Sequence, residues 1–215
     1  MHLEKLFSKF KTRHGSYSSR MLEIYDSIGS CESWEINYKT EVLISDIWQF
    51  WCNFCRELYF SSMRGTSTRS NNSIIGVAAN KDWKRIAYEA GHVLNPRRCC
   101  TSNGHLNYKK RFEPTWGDID VIQTIINGVN PNNKNTLLSG FGSFYKLKDL
   151  QNVRNACAHK NIETKGEVLQ LSTNYSFSHL KYVTDLAWIR DRTTGAMALE
   201  VWLDEMYQIA NIVTS

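Results

Sequence analysis

Two side chains in this sequence are of types that together can act on a phosphodiester without a metal. Arg154 and His159 stand five residues apart in Leu150-Gln-Asn-Val-Arg154-Asn155-Ala-Cys-Ala-His159-Lys160-Asn161. An imidazole exchanges a proton near neutral pH, so it can take the proton of a ribose 2′-hydroxyl or protonate the leaving 5′-oxygen. A guanidinium can hold a phosphate through two N–H bonds and stabilise the charge that grows on its oxygens. One His performs half of the proton work at a time, whereas two copies of the segment meeting at an interface supply both base and acid. A blander reading stands beside this one: Arg and His near the end of a helix oppose its C-terminal dipole. Spacing alone does not decide between them.

The segment itself reads as helical. Phe144, Leu147, Leu150, Val153 and Cys157 recur at helical spacing, which places the motif on a helix over about 144–160. On an ideal helix, residues five apart diverge by about 140°, whereas Asn155 and His159, four apart, share a face. Ala156, Cys157 and Ala158 are small, so a substrate or a second backbone can come close.

Arg154-Asn155-x-x-Ala158-His159 resembles the Arg-x4-to-6-His signature of the HEPN superfamily, in its common form Arg-Asn-x-x-Ala-His. The Leu147, Leu150, Val153 register is similar to the helix that carries this motif. The specific match covers about 15 residues, and the helical context extends it loosely over 115–213. What the resemblance implies is a bundle of four or five helices and a metal-independent endoribonuclease, acting as a toxin or in antiviral defence. Its site is composite, formed where two motif helices meet across a homodimer axis. Arg154 and His159 would be catalytic, and Asn155 would position His159 or the phosphate. The products would carry 2′,3′-cyclic phosphate and 5′-hydroxyl ends. RNA, a second copy of the chain and a cognate antitoxin or regulatory protein are the implied partners, and no cofactor or metal is implied. Family members often have Gly directly after the His, where this chain has Lys160, a residue able to contact phosphate. A Tyr two residues after the His, modified in some members, is here Asn161. Other HEPN domains only bind, so a non-catalytic helical module for RNA, nucleotide or protein is the alternative.

The elements that must position these groups are helical throughout. Leu3, Leu6, Phe7 and Phe10 mark a short helix; Ser18 can cap a second carrying Met21, Leu22, Tyr25 and Ile28, closed by Gly29. Thr40 to Met63 is apolar around much of its circumference and should be central. Arg64 to Ser73 reads as a loop. Asp82 to Leu94 is a helix stopped by Asn95-Pro96, Thr115 can cap a helix from Trp116 to Ile126, and Thr136 to Lys160 follows. Lys165-Gly166 between two β-prone runs suggests a small hairpin or loop within Asn161 to Ser172. Ser178 can cap a helix through Ile189, and Met197 to Val213 forms the last. The expectation is an all-α, single-domain helical bundle over 1–215, with extra peripheral helices within 1–37 and a long basic loop.

Composition excludes several classes. Hydrophobic residues are 42% and charged residues 22%, an ordinary globular balance that argues against disorder. The most apolar run, Val42 to Phe60, is interrupted by Ser45, Asp46, Gln49, Asn53, Arg56 and Glu57, so it cannot cross a bilayer. Met1 to Gly15 is too polar for a signal peptide, and a soluble cytoplasmic protein is expected. A formal net charge of +5 permits a polyanionic partner without requiring one. The charge is clustered: Arg97, Arg98, Lys109, Lys110 and Arg111 lie in the long loop, with Tyr108 and Phe112 available for stacking on bases. The same residues also fit a solvated loop.

The remaining candidates carry less. Asp46 lies on the apolar helix, where an acid needs a partner; Arg154 is one option and solvent the other. Six cysteines include Cys52-x-x-Cys55, but no second ligand pair follows at finger spacing. Structural thiols are favoured over a zinc site made by Cys52, Cys55, Cys99 and His105. His105 reads as a surface residue, and His92 as a cap or core residue. Nucleotide-loop, His-Glu-x-x-His and serine-nucleophile signatures are all missing.

Overall fold

The computed structural model describes residues 2–97 and 99–215. It is all-α apart from one pair of two-residue strands. The chain divides into two compact units. One comprises Met1–Phe10, Trp51–Ser143 and Ile209–Ser215; the other comprises Lys11–Phe50 and Phe144–Gln208. Helices α1 (Leu3–Asp26), α2 (Ser33–Arg64) and α8 (Ala198–Thr214) contribute residues to both.

The N-terminal stretch forms one continuous helix, α1, where the sequence suggested two. Its buried residues Leu3, Leu6, Phe7, Phe10, Tyr17 and Met21 keep helical phase through the weak Gly15–Ser19 region. The hydroxyls of Ser16, Ser18 and Ser19 bond back to the carbonyls of Thr12, His14 and Gly15, so they stay inside the helix instead of ending it. Packing of the apolar stripe outweighs local propensity here.

In the first unit, α2 ends at Gly65, which has φ +89°. The antiparallel strands β1 (Thr66–Ser67) and β2 (Ser73–Ile74) follow, within the segment read as a loop. A side chain at Gly65 or Gly76 would run into the backbone of the opposing segment, so both glycines are needed for this close return. Helix α3 (Trp83–Leu94) is capped by Asp82, which accepts the Lys84 N–H. Helix α4 (Ile119–Val129) starts later than expected. Asp118, not Thr115, accepts the N–H groups of Asp120 and Val121, while Trp116 is buried against Tyr59 and Phe60. Helix α5 (Lys134–Gly142) follows, and a side chain at Gly140 would collide with Val213. Phe10, Trp51, Phe54 and Phe141 form the aromatic centre of this unit.

In the second unit, α6 (Leu147–His159) carries the motif and is separate from α5. Helix α7 (Ile162–Gln170) replaces the expected hairpin. Asn161 caps it by accepting the Thr164 N–H at 2.9 Å, and open space surrounds Gly166, which therefore does not break it. The expected helix from Ser178 to Ile189 is also absent. That stretch is irregular, with a 3-10 turn over Val183–Trp188. The flanking backbone bonds elsewhere: Ser176 N–H goes to Arg190 O, Arg192 N–H to Asn174 O and Ala198 N–H to Ile189 O. Those segments are committed to each other and not to an i to i−4 ladder.

Candidate active site on helix α6

The N-terminus of α6 is held by a buried polar cluster from distant parts of the chain. Lys146, just before the helix, bonds Asp191 at 2.7 Å, and both side chains are almost fully buried. Tyr175 donates to Asp149 at 2.8 Å and accepts from the Trp202 indole N–H at 3.0 Å. Glu205 accepts the Leu147 N–H at 3.2 Å, a cap supplied by α8, since Lys146 offers no side-chain cap of its own. Burial raises the Glu205 carboxyl to about 7, against the backbone N–H groups of Lys146, Leu147 and Tyr145 that favour its ionised form. Burial likewise raises Asp149, opposed by Tyr175 and Lys146. At Asp191 burial is outweighed by Lys146 and the N–H groups of Thr194 and Thr193, and its carboxyl titrates low.

This anchored helix presents the motif along its last turns. Arg154 is half-buried and donates from Nη1 to Asn155 Oδ1 at 3.2 Å. It lines a small cavity of about 80 Å³ with Glu41, Ser45 and Ala158. His159 is the last residue of α6 and is exposed. The structure therefore places Arg154 beside Glu41 and Ser45 of α2, and His159 at the exposed end of α6.

Lys160 follows in the left-handed conformation, φ 46° and ψ 41°, and its N–H caps Ala156 O. This backbone favours glycine. The Lys160 ammonium lies 3.1 Å from Glu41. A groove of about 710 Å³ opens beside it, lined by Glu41, Cys157, Lys160, Lys165, Lys181 and Tyr182 among others. Lys165 and Lys181 were not identifiable from sequence, because only the fold of α7 and the irregular segment brings them beside Lys160. The Cys157 thiol is pushed up to about 12 by burial and Glu41, so it remains protonated and is no nucleophile.

The other candidates fall elsewhere. Asp46 meets Arg20 at 3.5 Å with both side chains about half exposed, so its partner is on α1 and is not Arg154. Arg97, Lys109, Lys110 and Arg111 are exposed in the first unit; Arg98 lies outside the described residues. His105, read as a surface residue, is buried, with Nδ1 3.1 Å from Ser102 O. Cys55 is fully buried, and among the described residues no three His, Cys, Asp or Glu side chains converge to hold a metal. Among the same residues, no helix is long and apolar enough to cross a membrane.

No protein-family model, curated protein or solved structure matches this chain.

Proposed function

We propose that this protein is a metal-independent endoribonuclease of the HEPN type, acting as a toxin or antiviral effector on RNA. The observation that supports this reading most is the form of the α6 terminus. A solvent-facing His159 ends a helix whose other end is locked by Glu205 and Lys146, with Arg154 and Asn155 one turn behind and a lysine-lined groove alongside. His159 would move the proton between the 2′-hydroxyl and the leaving oxygen, and Arg154 would hold the phosphate. Lys160 would add a cation near the scissile bond.

Because residues five apart on a helix diverge by about 140°, the reading calls on a second copy to complete the site. Ile162, 92% exposed, and Tyr145, 66% exposed, flank α6 and offer apolar surface for that contact. The divergence equally favours a second reading, a non-catalytic helical module that binds RNA, nucleotide or a protein partner. Incubation of purified protein with total RNA in EDTA separates the two. Fragments from the wild type and none from His159→Ala support the enzyme; RNA retained intact but bound supports the module.

A further inference from the structure

The basic loop after α3 closes over that helix to form a second cavity, in the first unit, which the motif does not use. The loop is fixed to α3 by side chains. Tyr88 donates to Cys99 O at 3.1 Å and accepts the Thr101 N–H at 3.3 Å, Arg85 donates to Thr101 O at 3.0 Å, and Lys84 donates to Leu106 O at 3.3 Å. The result is a cavity of about 270 Å³.

Three rings form its walls. Tyr88 and Tyr108 meet edge to face at 6.0 Å, and Tyr108 and Phe112 at 6.1 Å. The Tyr108 hydroxyl donates to the backbone carbonyl of Phe112 at 2.7 Å, which holds the Tyr108 ring in place. Gly91 and Gly104 lie in the lining and keep the space open; a side chain at Gly104 would run into the Tyr88 ring. His92, Asn95 and Asn107 add polar groups to the lining, with the Asn95 amide donating to Gly91 O at 3.4 Å. Phe112 is 52% exposed, and the Arg111 guanidinium lies 5.0 Å from its ring centroid. Lys109, Lys110 and Arg97 stand exposed on the same loop, and among the described residues none of these four cations is paired with a carboxylate.

Aromatic walls with a polar edge suit a flat heterocycle, and unpaired cations alongside suit the phosphates on either side of it. A sugar would want more hydrogen-bonding groups, and an apolar peptide would not need the cations. We propose that this cavity takes one unpaired nucleobase of single-stranded RNA, while Arg97, Lys109, Lys110 and Arg111 hold the adjoining backbone. The inference rests on the RNA-directed reading for the identity of the polymer, and not on cleavage.

Binding of fluorescent 2′-O-methyl RNA, which lacks the attacking hydroxyl, tests this without chemistry. Single strands, an abasic single strand of equal length and a duplex are compared. The wild type should bind the single strand about tenfold tighter than the abasic strand or the duplex, as stacking of one base requires. Phe112→Ala should remove that preference. Gly91→Leu should do the same by filling the cavity, since a Cβ there meets only the Tyr108 hydroxyl at 3.5 Å and the helix gains from losing a glycine. Lys110→Ala should weaken all three ligands alike. Equal affinity for intact and abasic strands, tighter binding of the duplex, or a Gly91→Leu protein that melts normally and keeps the preference would each overturn the proposal. None of these results depends on whether Arg154 and His159 cleave.

Discussion

Glu205 of α8 accepts a hydrogen bond at 3.2 Å from the backbone N–H of Leu147, the first residue of α6. The helix that carries Arg154 and His159 is thus capped by a carboxyl almost sixty positions away. The carboxyl is raised from the ordinary 4.5 to about 7, so between those pH values the folded protein holds a proton there that the unfolded chain has released. This group therefore favours the native state most below about pH 4.5, and that advantage is lost as pH rises through about 7. Glu205→Gln keeps an acceptor for the Leu147 N–H and removes the titration. Urea unfolding from pH 5 to 8 should show the wild type losing stability relative to Glu205→Gln. Parallel profiles for the two proteins would show that Glu205 does not titrate in this range.

Tyr175 joins Asp149 of α6 to Trp202 of α8 through one hydroxyl. Tyr175→Phe leaves a buried carboxyl and an indole N–H short of a partner. A loss of about 2–3 kcal/mol follows, because bonds to charged groups lie at the upper end of the usual range. Chemical denaturation measures it directly; a loss under 0.5 kcal/mol would mean that water replaces the hydroxyl.

Lys160 has φ 46° where glycine is favoured, and its ion pair with Glu41 is largely exposed on the lysine side. Left-handed backbone costs a non-glycine residue about 1 kcal/mol, whereas an exposed pair returns about 0.3 kcal/mol. Lys160→Gly should therefore raise the stability of the protein by about 0.5 kcal/mol. A lowered Tm would show the ion pair to be the larger effect. If Lys160 also contacts phosphate, RNA affinity falls while stability rises, a split that a purely structural lysine would not give.

Ile162 is the most exposed large apolar side chain among the described residues, and it begins α7 three residues after the motif. If a second copy completes the site, Ile162→Glu should lower the mass measured by light scattering from dimer to monomer and remove cleavage together. Unchanged mass with lost cleavage, or the reverse, would separate dimerisation from activity.

The extent to which the sequence was legible follows from where each signal resides. Helices α2, α3, α6 and α8 carry their apolar stripes in their own residues, and Asn95-Pro96 ends α3 as local chemistry requires. Helix α7 was read as a small hairpin or loop because Lys165-Gly166 resembles a turn, while the cap that decides the matter is Asn161. The division of the N-terminus into two helices failed because serine back-bonding and burial of Tyr17 override a weak local stretch. At the candidate site, Arg154, Asn155 and His159 were proposed from a local pattern alone. Lys165, Lys181 and the Glu205 cap were not, since each acts across a separation that only the fold closes. Asp46 was read as either paired with Arg154 or solvent-facing; it is about half exposed and meets Arg20, which depends on the packing of α1.

The most direct test of the central claim is the chemistry of the RNA ends. Purified wild type, Arg154→Ala and His159→Ala are incubated with total RNA in EDTA, and the fragments are analysed for their termini while circular dichroism verifies the fold of each. The account predicts fragments with 2′,3′-cyclic phosphate and 5′-hydroxyl ends from the wild type, and a loss of at least about a hundredfold in each variant. Cleavage retained by either folded variant, or fragments with other ends, would contradict it.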